Sequence, residues 1–209
     1  MLPFSLVCLI RKNLVSALGF LVFLLPSSLR AQQDRKLEYN IVRHGDLKGT
    51  VQLSEHSEGN TRRIKIESLV KTRFLFNISV QTIEEAVYRE GLLIYSSFYQ
   101  KINNDEKHKS QMNWKDGSYQ FTGGHPGQLV PRTPIRYSIL SLYCQEPVNI
   151  REVFSGNFQH YLPVIQVGTG KYRVDLPNGN CNYYIYQHGT LVRVEVDQPF
   201  FAVQFILKS

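Results

Sequence analysis

Along most of the chain apolar and polar residues alternate with a period of two, and Gly, Asn, Asp or Pro breaks the alternation about every ten residues. That is the signature of an antiparallel all-β domain. The first strand is expected over Leu37 to His44, with Leu37, Tyr39 and Ile41 on one face, followed by a turn at Gly45 to Gly49. Val51 and Leu53 then carry the core face of a second strand, and Ile64 and Ile66 that of a third over Arg62 to Val70. The clearest alternation is Phe74, Phe76, Ile78 and Val80 against Leu75, Asn77, Ser79 and Gln81, which predicts one buried face and a strand continuing to Arg89. Leu92 to Ile102 is apolar on both sides, with Leu93, Tyr95 and Tyr99 opposing Leu92, Ile94, Phe98 and Ile102. Such a strand is expected to be covered on both faces. Strands at His108 to Trp114 and Tyr119 to Phe121 flank the turn Lys115-Asp116-Gly117-Ser118, and five more are expected over Tyr161–Val167, Lys171–Leu176, Cys181–Tyr186, Thr190–Val196 and Phe200–Leu207.

One stretch departs from this period. From Pro134 to Phe154, Ile135, Ile139, Leu142 and Tyr143 fall at i, i+4, i+7 and i+8, a helical stripe. Pro134 suits a first helical turn, Pro147 ends it, and Asn149 is placed to cap a further turn holding Ile150, Val153 and Phe154. Before it, Gly123 to Thr133 contains too much Gly and Pro for a regular element and reads as a flap carrying Gly124, His125 and Pro126. The expected fold is therefore mainly β: a single curved antiparallel sheet of about ten or eleven strands, an incomplete β-barrel wrapped around a short internal helix.

Composition changes this picture only at the N-terminus. Arg11 and Lys12 precede the apolar run Leu14 to Leu25, and Pro26, Ser27, Ser28 and Ala31 follow, which reads as a secretory signal peptide over residues 1–31 and one domain over 32–209. Export through the Sec pathway to the periplasm or the extracellular space is expected, with the outer-membrane periphery as one destination. Cleavage after Ala31 lowers the formal net charge of +7 by three, to +4, a balance too mild to name a partner. Nucleic acid is disfavoured by the compartment; a lipid, an envelope component or a membrane surface is compatible with it. Arg62, Arg63, Lys65, Lys71 and Arg73 read either as an anion-attracting strand or as its solvated face.

No phosphate loop, dinucleotide fingerprint, metal-binding pair or nucleophile elbow is present, so no cofactor and no metal is expected. The histidines are scattered, and only His44 with Asp46, or His125 in the flap, offers a hydrolase reading. The leading functional reading is non-enzymatic binding, with Phe74, Phe76, Tyr95, Tyr99, Ile139, Leu142 and Tyr143 as the candidate lining of an apolar cavity under the helix, although the aromatic residues taken by themselves read first as plain core. The alternative is an envelope assembly protein whose interior is simply packed. Cys144 and Cys181 can close a disulfide in an oxidising compartment or stand as two separate buried thiols.

Several short motifs add a resemblance. Tyr39-x-Ile41 with Gly45 and Gly49, Tyr88-x-x-Gly91-x-Leu93, and Ser141-Leu142-Tyr143 with Glu146-Pro147 and Val153-Phe154 form the first part. Tyr172-x-Val174-x-Leu176-Pro177-x-Gly179 and Tyr184-x-Tyr186-x-x-Gly189 form the second. Together they resemble a family of exported bacterial proteins of unknown function common in the Bacteroidota, which is similar to half-barrel domains of the Lol lipoprotein-carrier type. The resemblance implies a curved sheet around an internal helix, able to shelter acyl chains, and carries over no catalytic residue.

Overall fold

The alternation becomes thirteen strands in the computed structural model, which describes residues 33–73, 77–123, 133–197 and 202–208. β1 (Gln33–Arg43), β2 (Asp46–Glu58), β3 (Thr61–Arg73), β4 (Asn77–Arg89), β5 (Leu92–Ile102), β6 (Asp105–Lys115) and β7 (Ser118–Gly123) run as successive antiparallel neighbours. β8 (Glu152–Ser155), β9 (His160–Gly168), β10 (Lys171–Asp175), β11 (Cys181–Gln187), β12 (Thr190–Asp197) and β13 (Val203–Leu207) form a second such run. β13 pairs with β1, Tyr39 opposite Leu207 and Ile41 opposite Phe205, so the runs merge into one antiparallel sheet whose edges are β7 and β8. Pairing sequential strands costs little loop-closure entropy. The β1–β13 ladder is the long-range pairing that unites the halves. The expected curved, unclosed sheet is the observed architecture.

Register defines the inner face. Paired positions share a face, so Ile64, Ala86, Ser96 and Met112 make one row across β3 to β6, and Ile66, Glu84, Phe98 and Ser110 the next. Ser68, Thr82, Gln100 and His108 follow, then Val70, Val80 and Ile102. Ile64, Ala86 and Met112 are buried in the core, which marks these rows as inward-facing. Curvature brings distant strands together on this side. Gly156, in the β8–β9 turn, sits so close to β5 that a Cβ there would lie 2.6 Å from Ser96 Oγ.

The two-sided pattern of β5 has a local cause. A bulge pairs Tyr88 with Leu93 but Val87 with Tyr95, so the buried positions switch parity from Leu93 to Ser96 and Phe98. β5 is thus not covered on both faces; Tyr95 and Tyr99 lie opposite the inward row and are half-buried.

The largest departure is in the stretch Pro134 to Phe154. It contains one 3₁₀ turn, Ile139–Tyr143, in place of the expected helix; Val153 and Phe154 belong to β8, and Asn149 adopts φ 63 rather than capping a helical turn. The reason is that this segment connects the two edge strands across the concave side and is bonded by strands as it passes. Leu93 N–H donates to Ile135 O at 2.8 Å, Phe154 N–H to Tyr137 O at 2.9 Å, and Val164 N–H to Arg151 O at 2.8 Å. Backbone groups held by neighbouring strands are not free for an α-helical ladder. Leu140 and Leu142 are both buried, so the segment is apolar around most of its girth, unlike a one-sided surface helix.

Cys144 and Cys181 do not form a disulfide: both are free thiols, half-buried. Cys181 starts β11 opposite Asp197, whereas the Cys144 carbonyl accepts from Arg35 Nη1 at 2.9 Å near the start of β1. Arg35 and Asp197 belong to opposite ends of their strands, which keeps the sulfurs apart.

Candidate functional site

The crossing segment is fixed by side chains that meet its otherwise orphaned polar groups. Tyr119 Oη accepts from Ile135 N–H at 2.8 Å and donates to Leu93 O at 3.0 Å. Tyr88 Oη accepts from Ser138 N–H at 2.9 Å and donates to Ser138 Oγ at 2.7 Å, with Ser141 Oγ 3.0 Å away. From the second half of the sheet, Tyr186 Oη donates to Leu142 O at 2.6 Å and Tyr172 Oη to Glu146 Oε1 at 2.8 Å. Burial holds the hydroxyls of Tyr119 and Tyr172 up at about 12, and those of Tyr88 and Tyr186 above their ordinary value, so all four remain protonated donors. Cys144 is held in the same way. Its thiol is pushed up to about 12 by burial and by the Glu55 carboxylate it bonds, which keeps it protonated. Glu55 in turn accepts from Arg62 Nε at 2.6 Å.

Under the segment the space is filled. Leu142 and Tyr143 are buried, Ile139 is half-buried against the core, and the Tyr143 ring packs edge-on to Tyr39 (5.9 Å) and Tyr184 (6.1 Å). A recess beside it, lined by Asn60, Arg62, Tyr88 and Arg136, has about 220 Å³. That is below the roughly 300 Å³ at which ligand pockets begin. Leu142 and Tyr143 therefore act as core, and Tyr95 and Tyr99, facing away from the inner row, line no cavity beneath the segment. Phe74, Phe76, Gly124, His125 and Pro126 lie outside the described residues.

The inner face beyond the segment differs. Ser68, Thr82, Gln100 and His108 make its third row polar, and the apolar Val70, Val80 and Ile102 beyond them are half-buried, Val70 packing against the core. Between these rows and the tyrosine core stands Glu84, flanked by Ile66 and Phe98 and electrostatically coupled to Tyr143 and Tyr184. It has no hydrogen-bond or ion-pair partner among the described residues. Although part of its surface meets solvent, crowding by apolar neighbours pushes its carboxyl up to about 7. The sequence reading missed Glu84. Glu84 and Glu85 are adjacent and opposite-facing, and only the pairing with Ile66 shows which one points inward; Glu85 instead pairs with Arg63 on the outside.

Other charged features are spent locally. Arg63 is paired with Glu85, Lys65 with Glu67 at 2.9 Å, and Arg62 with Glu55, so the basic strand is largely neutralised. Asp46 binds Lys48 at 3.0 Å beside His44, ordinary turn chemistry. A wider recess of about 560 Å³ follows the outer row Val42, Gln204, Glu195 and Tyr183, but Glu195 there is already paired with Lys171 and Arg193. Among the described residues no three His, Cys, Asp or Glu side chains converge as metal ligands would.

Comparison with known sequences now adds the family. A model described as Domain of unknown function (DUF6134) matches residues 39–208, nearly the whole described chain. The chain belongs to the DUF6134 family. Among curated proteins none matches it. A solved structure, the beta-barrel-like protein of the domain of unknown function DUF1849 from Brucella abortus, is similar to the DUF6134 domain with a TM-score of 0.51 at 9% identity, covering 87% of this chain and 98% of that one. At that identity the likeness concerns the fold alone, and it agrees with the unclosed, barrel-like sheet of the DUF6134 domain.

Proposed function

We propose that this protein is an exported, non-enzymatic binding domain that takes a ligand with an apolar body into the end of the half-barrel opposite the crossing segment. The observation that carries this reading is the incompletely buried inner row Val70, Val80 and Ile102, backed by a polar row and by Glu84, which is unpartnered among the described residues. Apolar walls with a few placed polar groups are the usual make-up of a ligand site. The resemblance of the motifs to Lol-type half-barrels and the signal-like N-terminus point the same way. The ligand enters from one end only, because tyrosines and leucines occupy the other. This differs from a cavity lined by the segment itself.

The tightly packed segment also favours a second reading, an envelope assembly protein without a ligand, and one experiment separates the two. The neutral apolar dye N-phenyl-1-naphthylamine is titrated into the purified protein and its fluorescence followed. Saturable enhancement is expected, with affinity lowered at least about tenfold by Val80→Trp, which fills the entrance with an indole. No enhancement in the parent protein, or equal enhancement in the variant, contradicts the binding reading and leaves the assembly reading.

A further inference from the structure

Near the centre of the inner face, and in the turn packed against it, lie polar side chains without partners among the described residues. Glu84 and Ser110 lie in one row and Ser96 in the adjacent one, diagonal to Glu84 across the β4–β5 ladder. Beside them is Gln159, 4% exposed, at the end of the β8–β9 turn whose Gly156 rests against Ser96. Both amide atoms of Gln159 are buried without a hydrogen bond, and neither serine makes a side-chain bond among the described residues. A buried amide with neither of its groups bonded is costly, as is a desolvated carboxylate without a counter-charge. Among the described residues no cation is paired with Glu84: of the basic side chains on this face, Arg35 is committed to the Cys144 carbonyl and Arg62 to Glu55, and neither Arg43 nor His108 forms an ion pair with it. The remaining groups facing Glu84 are the neutral phenols of Tyr143 and Tyr184. Of the unmet groups, the carboxylate, the amide oxygen and the two hydroxyls are all acceptors, and one primary ammonium group brings a positive charge with three donors.

We propose that Glu84, assisted by Gln159 and Ser96, recognises a primary ammonium group on the ligand, whose apolar body lies along Val70, Val80 and Ile102. This rests on the binding reading above and adds the chemical class of the ligand's polar end. The ammonium can belong to a single-chain amine or to the ethanolamine headgroup of a phospholipid. A charge-assisted bond to a desolvated carboxylate outweighs a neutral one by about tenfold or more in affinity.

The test is displacement of bound N-phenyl-1-naphthylamine at pH 8 by dodecylammonium, dodecanol and lysophosphatidylethanolamine, in the parent protein, Glu84→Gln and Gln159→Leu. In the parent protein dodecylammonium is expected to displace the dye at least about tenfold better than dodecanol. Glu84→Gln is expected to bring that ratio to about one, and Gln159→Leu to reduce the ratio at least about threefold. Displacement by lysophosphatidylethanolamine as well assigns the site to the headgroup; displacement by dodecylammonium alone assigns it to the simple amine. Equal displacement by amine and alcohol in the parent protein, or a preference that survives in Glu84→Gln, overturns the ammonium proposal while the dye result stands. Should Glu84→Gln fail to fold, Gln159→Leu decides alone. Absence of dye binding in the parent protein instead overturns the reading on which the proposal rests.

Discussion

Tyr143→Ala is expected to lower the stability of the folded domain by roughly 3–5 kcal/mol, the range for deleting a large buried aromatic side chain. The ring stands at the centre of the concave face, edge-on to Tyr39 at 5.9 Å and to Tyr184 at 6.1 Å, and so joins the crossing segment to β1 and β11 at once. Its removal takes apolar contacts from both halves of the sheet, whose direct union is the β1–β13 ladder of short β13. Since domains of this size are stable by only about 5–15 kcal/mol, the variant is left close to unfolding. Tyr143→Phe keeps the ring and costs less than about 1 kcal/mol, because that hydroxyl makes no hydrogen bond among the described residues. Urea unfolding of the two variants checks this; a loss below about 1 kcal/mol for the alanine variant would show that the segment is not the keystone of the core.

The second large effect concerns pH. The Glu84 carboxyl, at about 7 in the folded protein against an ordinary 4.5, holds its proton more tightly folded than unfolded. Below pH 4.5 it is protonated in both states and contributes no difference. As pH rises from 4.5 to 7 the unfolded chain ionises first, so stability falls; above 7 the penalty is constant, on the order of 3 kcal/mol. The groups facing Glu84 are Ile66 on β3, Phe98 on β5, Tyr143 from the crossing segment and Tyr184 from β11, none of which titrates in that interval; the imidazole of His108 stands behind Phe98, its ring 5.3 Å from that of Phe98. Glu84→Gln removes the proton equilibrium while keeping the shape. Relative to the parent protein the variant therefore gains stability between pH 4 and pH 8 by an amount of that order. Chemical denaturation at a series of pH values measures the difference, from which all other titrating groups cancel; parallel curves would mean that Glu84 is solvated.

Much of the sheet was legible in the chain because a half-buried strand writes its exposure as alternation. Val51, Leu53, Ile64 and Ile66 were placed inward from the sequence and are buried, and the turn glycines Gly91 and Gly117 take positive φ of 76° and 77°. What failed has a common cause in non-local contacts. The helical spacing of Ile135, Ile139, Leu142 and Tyr143 is present, but the hydrogen bonds donated by Leu93 N–H and Tyr186 Oη and accepted by Tyr88 Oη and Tyr119 Oη decide the backbone, and no local pattern announces them. The bulge opposite Leu93 likewise turned one face of β5 into an apparent two-sided strand. Glu84 was unreadable for the reason that register alone separates it from Glu85. Of the tyrosines in the motifs that carry the family resemblance, Tyr88, Tyr172 and Tyr186 hold the crossing segment through their hydroxyls, as does Tyr119 outside those motifs.

The central claim is that the two ends of the concave face differ, one packed by the crossing segment and one able to take an apolar guest. Methyl NMR of the protein titrated with N-phenyl-1-naphthylamine tests it most directly. Shifts are expected at Val70, Val80 and Ile102, with Ile135, Leu140 and Leu142 unmoved. Shifts confined to Ile135, Leu140 and Leu142, or to the outward-facing Leu47 and Leu69, would contradict the account.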